Sequence, residues 1–160
     1  MKMSTHPLKF LIPLIAIVLL TQCRASRTEK TDKASQVLSV ARSYIGTPYK
    51  WGGTSKAGMD CSGLVCTAYK SVGIDLPRTV EDQAKLGKEV DMASLRKGDL
   101  LIFRIRRKGK GKVWHTGIVQ EVVNRDEILF VHASSSKGVT VSNLMSDYYQ
   151  KWYRKARRIL

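Results

Sequence analysis

The chain is short of acid: 13 aspartates and glutamates stand against 28 lysines and arginines, a formal charge of +15. A surplus of that size draws polyanions at long range and says nothing about fold. The basic residues form neither a recognition helix nor a stripe interleaved with aromatics, which argues against nucleic acid as a partner. Cysteine is scarce, at three residues, an odd number too small for a disulfide-stapled scaffold. No apolar run reaches the roughly 20 residues that a membrane-spanning helix requires; Phe10 to Leu20 has eleven. Internal repeats and low-complexity tracts are missing as well. A hydrophobic content of 43% suffices for an ordinary core, and 160 residues read as one domain with a short leader.

Lys2 and Lys9 precede the eleven-residue apolar run, the arrangement of an export signal. Leu20-Thr21-Gln22-Cys23 follows and resembles the lipobox of bacterial lipoproteins, with Gln22 where Gly, Ala or Ser is usual. The expected organisation is a signal peptide over 1–22, a polar tether over 23–34 and a folded domain over 35–160. Cys23 would carry lipid and hold the domain at the membrane on its extracytoplasmic side. Losing 1–22 removes two cations and no acid, taking the charge from +15 to +13. Cys61 and Cys66 then remain in an oxidising compartment. On one helix, five residues place them about 140° apart, a poor geometry for a disulfide. One thiol is therefore free to react, and Cys66, within Leu64-Val65-Cys66, is the core member.

Apolar spacing predicts a helix over Ala34 to Ile45, stopped by Gly46-Thr47-Pro48, then a glycine-rich loop from Trp51 to Gly58. A second helix runs from about Ser62 to Val72 with Asp60 or Cys61 near its cap, and a short one covers Val80 to Leu86. The second half changes period. Strands are expected at Asp99 to Ile105, Val113 to Val123, Ile128 to Ala133 and Val139 to Ser142. A helix near Ser146 to Gln150 and a closing strand within Lys155 to Leu160 complete the chain. Helices followed by an antiparallel meander define an α+β domain, with N-terminal helices packed on a sheet of about five to six strands.

A cysteine is nucleophilic only as thiolate, a form favoured at the positive end of a helix. Asp60-Cys61-Ser62-Gly63 puts one there, with small residues beside it leaving room for a substrate backbone. Of three histidines, His6 lies in the leader; His115 and His132 fall on adjacent strands. Side chains alternate along a strand, so register decides their faces. A turn with an even number of residues, centred on Asn124-Arg125, pairs His132 with Gly117 and brings both imidazoles to one face; an odd turn separates them. A helix-end thiol with two imidazoles fits a nucleophile, a base and an orienter. A zinc site from Cys61, Cys66, His115 and His132 lacks the short paired spacing of structural zinc. No metal or other cofactor is expected.

The series Pro48-Tyr49-Lys50-Trp51-Gly52-Gly53, Asp60-Cys61-Ser62-Gly63-Leu64-Val65, Leu76-Pro77-Arg78-Thr79, Lys97-Gly98-Asp99-Leu100-Leu101-Ile102-Phe103, His115-Thr116-Gly117-Ile118-Val119 and Val131-His132-Ala133-Ser134 resembles NlpC-type cell-wall cysteine peptidases, from about Ser35 to the C-terminus. The resemblance implies a papain-like fold and hydrolysis of peptidoglycan peptide stems, with Cys61 as nucleophile, His115 as base and His132 as third polar member. It also implies that the Tyr49 hydroxyl and the Cys61 backbone N–H bind the oxyanion, that Asp60 and Ser62 hold a substrate amine, and that Arg78 meets a carboxylate. Trp51 is expected to pack beneath its loop. Arg104 to Lys112 is an unusually basic connection, read as a solvated hairpin rather than a substrate rim. The domain is expected to act as a monomer. Two other readings share the fold: a non-catalytic peptidoglycan-binding lipoprotein and a thioester-forming amine transferase.

Overall fold

The structure, a computed structural model, describes residues 29, 33–107, 109 and 111–160. The expected signal peptide, Cys23 and most of the tether lie outside the described residues, as do Lys108 and Lys110 of the basic hairpin. The chain divides after Asp32, and the unit Lys33–Leu160 carries every element below.

Residues 33–42 form helix α1, with Val37, Leu38 and Ala41 on its buried face. It ends at Arg42, and the turn that follows closes at Gly46 with φ 87°, a conformation costly for any residue with a Cβ. A two-residue hairpin, β1 (Thr54–Ser55) and β2 (Gly58–Met59), occupies the glycine-rich loop. Helix α2 (Cys61–Lys70) follows, and α3 (Val80–Gln83) is one turn long. Thr79 caps α3 by accepting from the Asp82 N–H at 3.2 Å. The expected continuation of α3 to Leu86 does not form. Instead the chain turns at Gly87, φ 58°, into β3 (Lys88–Val90), a strand too short and too charged to announce itself by alternation.

The remaining strands are β4 (Leu100–Arg107), β5 (Gly111–Val122), β6 (Ile128–Ser134), β7 (Gly138–Asn143) and β8 (Tyr153–Arg158), with α4 (Asp147–Trp152) before β8. They make one six-stranded antiparallel sheet in the order β3-β8-β4-β5-β6-β7. The α+β expectation is met. β8 does not close the sheet at its rim but lies between β3 and β4. Arg158 fastens it there, donating from Nε at 2.8 Å and Nη2 at 2.7 Å to the two carboxylate oxygens of buried Asp99.

Alternation along β4 to β6 divides the core. Leu100, Ile118, Val131 and Ala133 face α1 and α2, meeting Val37, Leu38, Leu64, Val65 and Ala68. Leu101, Phe103, Ile105, Val119 and Phe130 face the other way, toward Tyr149 and Trp152 of α4. Each large apolar side chain so buried contributes about 1.5–3 kcal/mol, which fixes α2 against the sheet and with it the position of the helix mouth.

The β5–β6 turn corrects the sequence reading in an instructive way. Pairing Val122 with Ile128 leaves an odd turn, 123–127, which by itself would have sent the histidines to opposite faces. A register shift between Val119 and Glu121 adds one residue on β5, and Val119↔Phe130 and Ile118↔Val131 then stand in the expected register. A single-residue bulge restores the parity that the turn removes.

Candidate active site

The cysteine sits where the chain is most tightly tied. Asp60, extended at φ −105° and ψ 174°, caps α2 by accepting from the Gly63 N–H at 2.7 Å. Its other oxygen accepts from the Gly52 N–H at 2.7 Å and from Arg78 Nη2 at 2.7 Å. Arg78 Nη1 also donates to Ser62 Oγ at 2.6 Å, and the Asp60 hydrogen bond is the main cause holding the guanidinium above its ordinary pKa. The glycine loop presses directly on this turn: a Cβ on Gly63 would come within 2.3 Å of the Gly53 carbonyl oxygen. The first turn of α2 therefore accepts only glycine at that position.

Cys61 is 8% exposed and packs with Val80, Ala84, Ile102 and Trp114. Ile102 pairs with Thr116, so the thiol lies against the 114–116 stretch of β5. A cavity of about 350 Å³ opens at this point, lined by Tyr49, Trp51, Cys61, Ser62, Arg78 and Trp114 among others. Trp51 does not pack under its loop as expected; it is 79% exposed at the cavity's edge. Arg104 lies over the Trp114 ring at 4.6 Å, which gives the basic hairpin's first residue a cation–π partner beside the cleft. Cys66 is half-buried rather than a full core member. Its Sγ is 3.4 Å from the carbonyls of Leu76 and Pro77, and burial raises its pKa. Among the described residues, neither Cys61 nor Cys66 is in a disulfide.

The two imidazoles meet. His115 Nε2 and His132 Nδ1 are 3.0 Å apart, with the rings edge to face at 89°. They are 4% and 1% exposed. Phe130 stacks on His132 at 4.7 Å, and Phe103 lies 6.0 Å from His115. This apolar surround pushes the His132 pKa down to about 4, burial first and the charge of Lys137 second; the ring is neutral at pH 7. Gly117 makes the meeting possible, since a Cβ there would fall 2.6 Å from Phe130 Cδ2 and 3.0 Å from His132 Cβ. His132 Nε2 has two partners that the sequence reading did not foresee, Ser142 Oγ at 3.0 Å and Tyr149 Oη at 3.1 Å. Ser142 alternates with the inward Val139 and Val141 on β7, a pattern that could have flagged it as facing His132.

An antiparallel sheet with a cysteine at the mouth of a packed helix and an imidazole pair on the central strands defines a papain-like α+β architecture. Residues 46–158 match the NlpC/P60 family, and the chain belongs to that family. It is 38% identical over 130 residues to the "Probable endopeptidase NlpC homolog" of Haemophilus influenzae, covering 81% of this chain and 63% of that one. It is 37% identical to the "Murein DD-endopeptidase MepS/Murein LD-carboxypeptidase" of Escherichia coli K12, covering 81% and 64%. The chain thus spans just under two thirds of the length of these curated relatives. A crystal structure of an NlpC/P60 family protein from Bacillus cereus superposes with a TM-score of 0.68 at 35% identity, over 79% of this chain and 40% of that one.

Proposed function

We propose that this chain is a cysteine endopeptidase that hydrolyses peptide stems or cross-links of bacterial peptidoglycan through an acyl-enzyme on Cys61. The observation that carries the reading is the 3.0 Å contact between two buried imidazoles, one on β5, against which the helix-end thiol packs, and one on its neighbour β6. With Nε2 of His115 committed to His132, Nδ1 is the nitrogen that serves Cys61. His115 takes the thiol proton, and the thiolate attacks the scissile carbonyl. The imidazolium then protonates the leaving amine as the C–N bond breaks, leaving a thioester. Water, deprotonated by the same ring, attacks that thioester and releases the carboxylate and the thiol. The Cys61 N–H at the start of α2 and the Tyr49 hydroxyl lining the cavity supply donors for the oxyanion.

Asp60 acts in this reading chiefly as a helix cap whose charge Arg78 neutralises, so the carboxylate does not oppose the thiolate. Ser62 and Arg78 border the cavity and meet the polar backbone or carboxylate of a stem. Cys23 carries the lipid in this proposal, holding a monomeric domain at the extracytoplasmic side of a membrane. Among the described residues, no helix is long and apolar enough to cross one. The test is digestion of purified peptidoglycan by the wild type and by Cys61→Ala, with fragments identified by mass spectrometry. Wild-type cleavage that Cys61→Ala loses supports the assignment; equal cleavage by both refutes it, and binding without cleavage supports the non-catalytic alternative. New amide products formed only with added amines would favour a transferase.

A further inference from the structure

We infer that Ser142 and Tyr149 are positioning residues whose oxygens accept the Nε2–H of neutral His132 and so aim its Nδ1 lone pair at His115, an inference that rests on the catalytic reading above. In that reading His115 becomes an imidazolium between proton uptake and release, and an imidazolium donates from both nitrogens. Its Nε2–H points at His132 Nδ1, 3.0 Å away. That nitrogen must then be an acceptor, which in a neutral imidazole places the proton on Nε2. The opposite tautomer would set two N–H groups head to head each time His115 is charged, between rings that are both buried.

The charge on His115 calls for the Nε2–H tautomer, and the surroundings of Nε2 can receive that proton. Ser142 Oγ lies 3.0 Å from it and Tyr149 Oη 3.1 Å, one from β7 and one from α4. The serine hydroxyl donates to the tyrosine oxygen at 3.4 Å, which leaves the serine lone pairs free for the histidine N–H. Each oxygen can stand in for the other. The ring itself has no latitude to turn, since Phe130 stacks on it at 4.7 Å and Tyr149 meets it edge-on at 5.4 Å. Packing thus fixes the ring's orientation, and the two hydroxyl oxygens stand where they accept its Nε2–H. In serine-protease triads, the wrong tautomer of the histidine costs about 10⁴ in rate; here the effect is one group further from the reacting atoms and correspondingly smaller.

Two measurements on the full chain test this. In protein labelled with 15N-histidine, His132 should show a pyrrole-type Nε2 and a pyridine-type Nδ1. Because each oxygen can replace the other, Ser142→Ala and Tyr149→Phe should each cost kcat less than about twofold, and the double variant about tenfold or more with KM little changed. Its His132 resonances should report a mixture of tautomers. Ser142→Thr in the Tyr149→Phe background, which keeps a hydroxyl, should restore most of the lost rate. A merely structural role would lower Tm and leave the resonances unmoved. The inference is overturned by an Nδ1–H tautomer in the wild type, or by a double variant that keeps the Nε2–H form. It is equally overturned if the double variant's kcat falls no further than the product of the single losses. A wild type with the expected tautomer and no hydrolysis would instead refute the catalytic reading, and the two failures are told apart.

Discussion

Acid should weaken this protein through a single ring. His132 titrates near 6.5 when unfolded and at about 4 in the folded chain, because burial disfavours its charged form. Between those values the unfolded chain binds the extra proton, so stability is complete above about pH 6.5 and falls as the pH drops toward 4. Each pH unit in that window costs about 1.4 kcal/mol. From pH 7 to pH 5 the loss from this group is about 2 kcal/mol, and to pH 4 about 3 kcal/mol. The ring is 1% exposed, so solvent screens little of this. Urea unfolding followed by tryptophan fluorescence at pH 7 and pH 5 measures it, with His132→Gln as the reference that lacks the titration. The parent should lose about 2 kcal/mol more than the variant, a difference of roughly 1 M in urea midpoint at ordinary m-values. Equal losses in both, within about 0.5 kcal/mol, would mean that His132 is not a neutral buried ring.

Alkylation should discriminate the thiols: in native protein at neutral pH, iodoacetamide should label Cys61, while Cys66, with burial raising its pKa, stays unmodified until denaturant is added. Peptide mapping checks this, and faster labelling of Cys66 would reverse the assignment of roles. Gly117→Ala places a methyl 2.6 Å from Phe130 and 3.0 Å from His132, so overpacking should cost about 1–3 kcal/mol and disturb the imidazole pair. Unfolding curves together with His115 and His132 resonances report both effects, and unchanged values in each would contradict the close approach at that strand.

What was legible in the sequence followed from strong local chemistry. Asp60 ahead of Cys61-Ser62-Gly63 announces a capped helix, and the runs at Leu100, Ile118 and Val131 announce strands. The same residues gave the α+β class and the histidine pair. What was not legible depended on compensation at a distance. The odd 123–127 turn and the shift at Gln120 cancel, and neither leaves a mark in composition. β3 was hidden because Lys88-Glu89-Val90 has no apolar alternation and exists only because β8 offers it partners. Trp51 misled for the opposite reason: an aromatic within a glycine loop reads as packing, yet the loop closes on its own backbone at Gly53 and Gly58 and leaves Trp51 exposed. Ser142 and Tyr149 reach His132 from two elements that only tertiary structure brings together.

The placement of β8 has a consequence for how the molecule comes into being. β4, partner of the histidine-bearing β5, has its other edge covered by residues 153–158, the latest strand in the sequence. Until those residues are in place, the sheet presents an open flank at β4 and Asp99 lacks its arginine. Closure of the sheet beside the histidine pair therefore waits on residues 153–158, and β4 is paired on both edges only once they have joined it.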